Sequence, residues 1–176
     1  MAELLDIVDE NDVVIGQKSR DDVYEKGLMH RTVQVLVINE AGELIVQWRS
    51  AHKKKNPRVF MASVGETVQA GESYEDAAVR GLKEELGATD VELKPLGLIK
   101  IRNTDSPRNS MAFIADYSGE VTGWEEEAEV LDYWDADEAE YVLQRFPYLL
   151  ADSFRESLTK LFEKLEQESR VSEGEQ

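Results

Sequence analysis

The fold is decided by residues 65–88, GETVQAGESYEDAAVRGLKEELGA. The opening positions are polar, with Gly65 and Gly71 supplying the backbone freedom that a tight loop needs. Further on, the pattern changes period. Ala78, Leu82 and Leu86 recur every four residues, which places them on one face of a helix. Ser73 stands three residues ahead of Asp76 as an N-cap, close to a capping box, and Gly87 sits where a helix stops. The spacing therefore predicts a helix over 75–86 with its apolar stripe turned to a core. At about 100° per residue, Gly81, Glu84 and Glu85 fall side by side along one flank of that stripe, bordered by Arg80. Two glutamates beside an apolar face are poorly solvated and repel each other, so one takes a proton or both share a cation. Mg2+ or Mn2+ is the natural cation, since it prefers carboxylate oxygens and retains waters and substrate phosphates as further ligands. A Glu-Glu pair alone is usually the mark of a solvated helix face; the loop in front of it shifts the balance toward a site.

Outward from this segment, short β-rich runs alternate with turn signals. Residues 4–8 and 13–17 flank Asp9-Glu10-Asn11-Asp12 as one hairpin, and residues 32–39 and 44–48 flank Glu40-Ala41-Gly42-Glu43 as a second. Residues 20–27 form a polar connector with room for a helical turn. Further strands are expected over 59–64, 91–101, 110–117 and 130–134, with a polar loop over 103–109. Helices are expected over 136–145 and 151–167, separated at Pro147. Strands mixed with three helices predict an α/β sandwich on a mixed central sheet. Residues 1–170, with the N-terminal hairpin 1–20 included, are expected to form one domain, and 171–176 an acidic, disordered tail.

Composition narrows the function. The chain has 176 residues, 41% of them hydrophobic, enough to bury a core, and no cysteine. Thiolate nucleophiles, disulfides and cysteine-ligated metals are therefore excluded. The acidic start, MAELLDIVDEND, lacks the apolar run of a signal peptide, and no stretch approaches the roughly 20 apolar residues of a membrane span. A cytoplasmic location without membrane contact is expected. A formal charge of −17 argues against binding a nucleic-acid polymer. Against that acidity, residues 52–58, HKKKNPR, form a cationic island suited to a small phosphorylated ligand, or simply a solvated loop. The assembly state is open; a homodimer would be the commonest symmetric form.

The 65–88 segment resembles the Nudix box, G-x5-E-x7-R-E-U-x-E-E-x-G-U, where U is a bulky aliphatic residue. Aligned on Gly87, Glu72 takes the first glutamate position, Arg80 the arginine, Leu82 an aliphatic position and Glu84-Glu85 the terminal pair. The resemblance implies a Nudix-like α/β/α sandwich and a Mg2+- or Mn2+-dependent hydrolase acting on a diphosphate linkage in a small nucleotide-like substrate. It implies Glu85 as a metal ligand, Glu84 as a ligand or water-holder, a backbone carbonyl near Glu66 in the metal shell, and Glu72–Arg80 as a structural ion pair. Two positions depart from the box. Glu66 stands where the opening glycine belongs, and Gly81 where the glutamate after the arginine belongs. That glutamate is normally a principal metal ligand, and losing a general base typically costs about 10²–10⁴-fold in rate. Gly81 thus keeps open a second reading, a catalytically silent domain that binds a nucleotide or a protein partner.

Outside the box, Glu10-Asn11, Lys18-Ser19-Arg20, Gly27, His30-Arg31 and Ala62-Ser63-Val64 resemble the branch of the superfamily related to type I isopentenyl-diphosphate isomerase. That isomerase uses a cysteine and a histidine-rich metal site. This chain has neither, and its closer resemblance is to isomerase-like Nudix hydrolases. A carboxylate from outside the box is expected at the metal, with Glu129 preferred and Glu126 the alternative in the run Trp124–Glu129. Arg49, Lys54, Arg58 and Arg102 are the expected phosphate contacts. Trp48 and Phe60 suit either base stacking or core packing, the latter being the commoner use.

Overall fold

The computed structural model describes residues 3–53, 57–102 and 104–174. Its elements are β1 (Leu4–Val8), β2 (Val14–Ser19), α1 (Arg20–Glu25), β3 (His30–Ile38), β4 (Leu44–Arg49), β5 (Phe60–Met61), β6 (Val64–Thr67), α2 (Tyr74–Leu86), β7 (Lys94–Ile101), β8 (Arg108–Asp116), β9 (Ala128–Trp134), α3 (Ala136–Arg145) and α4 (Asp152–Gly174). The central sheet is mixed, as the sequence pattern predicts. Strand β3 runs parallel to β8 over its whole length, from His30 opposite Arg108 to Ile38 opposite Asp116, and antiparallel to β6 over its first half.

Strand β3 is buried on both faces, one lined by valines and the other by His30, Thr32 and Gln34 ahead of Leu36. Val33, Val35 and Val37 pack with Ala78, Leu82 and Leu86 of α2, while Leu36 joins Trp134, Phe154 and Leu158 on the opposite side. Helices therefore cover both faces of the sheet, giving the expected α/β/α sandwich. Trp48 and Phe60 belong to the second layer: Trp48, Phe60, Trp134 and Phe154 follow one another in ring contact at centroid separations of 4.6, 4.7 and 6.2 Å. Helix α2 is capped as its sequence specifies. Ser73 Oγ accepts from Asp76 N, and Gly87 adopts the left-handed φ of 66° that lets its N–H and that of Ala88 close back on Lys83 and Leu82.

The second expected hairpin is corrected. Strands β3 and β4 are paired only at Ile38–Leu44 and then splay; β4 takes β9 and the short β5 as its partners. The single strand expected over 59–64 divides accordingly, its first part on β4 and its second on β3. Ser63, between the two parts, bridges the gap: its hydroxyl accepts from Val37 N at 2.8 Å and donates to the Ile45 carbonyl. Helix α4 also exceeds expectation, continuing to Gly174 through much of the segment expected to be a disordered tail. Among the described residues no helix is long and apolar enough to cross a membrane.

The β1–β2 hairpin stands off the main sheet but is tied to it at Asp12, at the hairpin turn, with a left-handed φ of 66°. Asp12 Oδ1 accepts from Arg31 Nε at 3.0 Å, Asn109 Nδ2 at 2.8 Å and Tyr74 Oη at 3.0 Å, joining the hairpin to β3, β8 and α2. Burial alone would raise this carboxyl, but the bonds from Arg31, Asn109 and Tyr74 outweigh it and hold it below the ordinary carboxylate value of 3.8. A depressed carboxylate contributes stability that is present above the unfolded value and disappears as pH falls through the folded one. Asp12→Asn keeps a residue that tolerates left-handed φ but removes the charge. It is expected to cost about 1–2 kcal/mol at pH 7, a Tm loss of roughly 2–8 °C, with the gap to wild type narrowing below pH 4; thermal melts across pH check this.

Candidate functional site

Arg80 fastens the loop before α2 onto the helix. Its Nε and Nη2 meet the two carboxylate oxygens of Glu72 at 2.9 and 3.0 Å, and Nη2 also donates to the Thr67 carbonyl at 3.0 Å. Its Nη1 lies 3.1 Å from Glu66 and 3.5 Å from Glu84. The hydrogen bonds to Glu72, with the charge of Glu66, raise the guanidinium pKa further despite burial. The loop itself is held from the other side, where the Gly71 N–H donates to Asp6 Oδ2 of β1 at 2.9 Å and Thr67 Oγ1 meets Tyr24 Oη of α1 at 3.0 Å.

Helical geometry separates the two adjacent glutamates. Glu85, one turn after Gly81, faces β6 and is 7% exposed, whereas the Glu84 side chain is 58% exposed. The Glu85 oxygens accept from Gln47 Nε2 at 2.8 Å and from the Gly65 N–H at 3.2 Å. Gln47, itself buried, donates through the same nitrogen to the Ser63 carbonyl at 2.7 Å, so the splay between β3 and β4 is what admits it to the carboxylate. Burial pushes the Glu85 carboxyl from 4.5 to about 8; the bonds from Gln47 and Gly65 oppose the rise, and the charges of Glu66 and Glu127 add to it. Burial likewise raises Glu66, against the attraction of Arg80 and with the repulsion of Glu84.

Four carboxylates, Glu66, Glu84, Glu85 and Glu127, thus share one neighbourhood. Among the described residues no three acidic or histidine side chains converge as a ready-made cation cage. The carboxylates are turned to protein partners: Glu66 and Glu84 to Arg80, Glu85 to Gln47, and Glu127 to Lys53 at 2.8 Å and Arg49 at 3.5 Å. Such a donor set fits a Mg2+-like ion that takes one or two carboxylates from the protein and completes its shell with waters and substrate phosphates.

Glu129 does not join the group. Trp48 pairs with Val130 but Arg49 pairs with Ala128, which leaves Glu129 as the extra residue of a bulge, its Oε1 accepting from the Ala51 N–H at 2.8 Å. Glu127 lines the cavity instead. This cavity, of about 540 Å³, has Glu66, Glu127, Arg20, Arg49 and Arg108 about its walls and Thr32 and Gln34 of β3 on its floor. Thr32 Oγ1 and Gln34 Oε1 are buried with no hydrogen-bond partner in the protein. Of the expected phosphate contacts, Arg49 lines the cavity. Arg102 instead bonds the carbonyls of Ile101 and Arg108 and the Asn109 side chain, and Arg58 is exposed on the basic loop. Lys54 and the Glu126 side chain lie outside the described residues. His30 is buried against Tyr24 and His52 is exposed.

Residues 28–154 match the family model described as the NUDIX domain. The chain belongs to the Nudix family. This Nudix chain is 51% identical over 87 residues to an uncharacterized Nudix hydrolase of Streptomyces coelicolor, covering 49% of the chain and 48% of that relative. It is 36% identical over 87 residues to a protein of Photorhabdus laumondii named isopentenyl-diphosphate Delta-isomerase 2, covering 49% of each. The chain thus spans about half the length of the curated relatives it matches. Among solved structures, the DR0079 protein of Deinococcus radiodurans superposes with a TM-score of 0.74 at 25% identity, covering 90% of this chain and 98% of that one. The MutT protein of Methanosarcina mazei shares the fold, with a TM-score of 0.64 at 20% identity over 77% of this chain and 94% of that one.

Gln34, Gln47, Thr32 and Glu127 were not singled out by the sequence reading. Its available signal was a glutamine interrupting each of two apolar runs, Val33–Val37 and Leu44–Trp48, a polar group set into a core.

A raised carboxyl binds its proton more tightly in the folded state, so between pH 4.5 and 8 rising pH removes stability through Glu85. Glu85→Gln is therefore expected to raise the Tm of metal-free protein by about 3–9 °C at pH 8.5 and to leave it unchanged near pH 4.5. Melts in EDTA at both pH values measure this, and a lower Tm at pH 8.5 would contradict the burial argument.

Proposed function

We propose that this Nudix domain hydrolyses a diphosphate linkage in a small nucleotide-like substrate, using Mg2+ or Mn2+. The observation that carries the reading is the carboxylate cluster around buried Glu85, set beside a cavity with three guanidinium groups in its walls. Glu85 and Glu84, with a backbone carbonyl near Glu66, would hold the ion. Bound there, it would offset charge developing on the phosphoryl oxygens and orient the diphosphate for attack by water.

The chain's own residues do the rest. Arg20, Arg49 and Arg108 line the cavity among four carboxylates, Glu66, Asp105, Glu127 and Asp152, and are paired to Glu3, Glu127 and Asp152 respectively. A phosphate would draw these guanidinium groups from their present partners, each able to grip it with two parallel bonds. Glu127 holds Arg49 and Lys53 in place and repels Glu85, so that it favours a cation between them. Thr32 and Gln34 present buried polar atoms that a heterocycle or sugar hydroxyl satisfies and an alkyl chain does not. This floor, and the absence of cysteine, disfavour the isomerase-like alternative. A cytoplasmic location fits the same reading.

A second reading is motivated by Gly81 and by the grip of Arg80 on Glu66: a silent domain that binds a nucleotide without cleaving it. The two separate cleanly. Nucleoside diphosphate derivatives incubated with the protein and Mg2+ or Mn2+ in 18O-water are expected to give cleaved products carrying the label on phosphorus. EDTA should abolish turnover, and Glu85→Gln should lower it at least about 10²-fold. Binding of the same compounds with no turnover for any would favour the silent domain.

A further inference from the structure

Gly81 lies against β6. A Cβ built on it would stand 2.6 Å from Val64 Cγ1 and 2.7 Å from Glu66 Cγ, closer than packed carbon atoms approach. The bare helix backbone at this position is therefore what lets the Glu66 side chain lie across it. In the Nudix box pattern the glycine belongs at position 66 and the glutamate at 81; here each residue type occupies the other's place, and the two places touch.

We propose that Glu66 is the missing box carboxylate, transferred from helix to strand, and that Gly81 is the space it requires. Three observations support this beyond the contact itself. The Glu66 carboxylate remains among the box glutamates, within electrostatic reach of both Glu84 and Glu85. It borders the cavity. Its bonds from Arg80 Nη1, at 3.1 Å, and from the Thr67 N–H, at 3.2 Å, both fall on Oε2, and Oε1 takes neither. A carboxylate rooted on β6 thus presents an oxygen at the site in place of the one that glycine at 81 cannot supply. The inference rests on the metal-dependent reading above and changes its meaning: Gly81 is half of an exchange, not a lost function.

The exchange makes positions 66 and 81 interdependent, which a mutant cycle reads directly. Wild type, Glu66→Gln, Glu66→Gly, Gly81→Glu and the double exchange Glu66→Gly/Gly81→Glu are compared by thermal melting and by Mn2+ uptake in electron paramagnetic resonance. Glu66→Gln, which keeps the shape, is expected to stay folded and bind Mn2+ at least about tenfold more weakly. Gly81→Glu alone should lower Tm without strengthening uptake. The double exchange should regain part of that Tm, since Val64 still crowds the helix, and bind Mn2+ more tightly than Glu66→Gly. Normal uptake by wild type with unchanged affinity in Glu66→Gln would overturn the exchange and leave the hydrolase reading standing. A Gly81→Glu protein that keeps its Tm would likewise overturn it, because the two positions would then be independent. Absence of Mn2+ uptake by wild type, with or without a nucleoside diphosphate, would overturn the hydrolase reading itself and the role of Glu66 with it.

Discussion

The site depends on one guanidinium. Arg80 receives the loop from Glu72, the strand from Glu66 and the Thr67 carbonyl, and the exposed end of its own helix from Glu84. A planar fork with five donors is the one side chain able to bond all of these groups from a single position, and an ammonium would hold them as a point charge without fixing their angles. Because Glu72 takes two parallel bonds, the loop geometry is set before any ligand arrives. The carboxylates that remain are positioned from other elements: Glu85 by Gln47 of β4 and Gly65 of β6, and Glu127 by Arg49 of β4 and by Lys53. The site is therefore assembled from three directions against one fixed centre.

How much of this was legible in the sequence follows from the range of the interactions involved. Helix α2 was readable because its signals are local: a serine cap, a four-residue apolar repeat and a left-handed glycine stop all act within one turn. The sandwich was readable too, from strands mixed with three helices, and the valines of β3 do form the face packed on α2. The splay of β3 and β4 was not readable. The turn at Asn39–Glu43 carries every mark of a hairpin, and nothing local indicates that residues 60–67 insert to claim both strands. Glu127 and Glu129 show the same limit at single-residue scale. Glu127 lies just ahead of β9 and Glu129 is its second residue. Two residues apart in an extended run they would ordinarily share a face, and a bulge opposite Arg49 decides which reaches the cavity and which ties down the Ala51 turn. Such a choice is made by pairing across the sheet, which no window of sequence contains.

The burial of Glu85 shows what the fold gives up for the site. A carboxylate enclosed between α2 and β6, with only Gln47 and one backbone N–H as donors among the described residues, is a local destabilisation within an otherwise apolar contact. Evolution toward stability alone would neutralise it. With Glu66 and Glu127 near it, mutual repulsion falls where a cation would relieve it, and any ion bound there would stabilise the folded state through the same few oxygens.

The contact between Gly81 and Glu66 also constrains the history available to this chain. A lineage moving between the two box arrangements by single replacements must pass through one of two ancestors, with glutamate at both positions and a crowded helix, or with glycine at both and a carboxylate lost. Each is a valley, so the arrangement, once reached, is hard to leave, and descendants should inherit the pair as a unit. A pattern that scores the two positions separately counts such chains as doubly defective. Considered in three dimensions, the same chains retain their carboxylate and change only the element from which it projects.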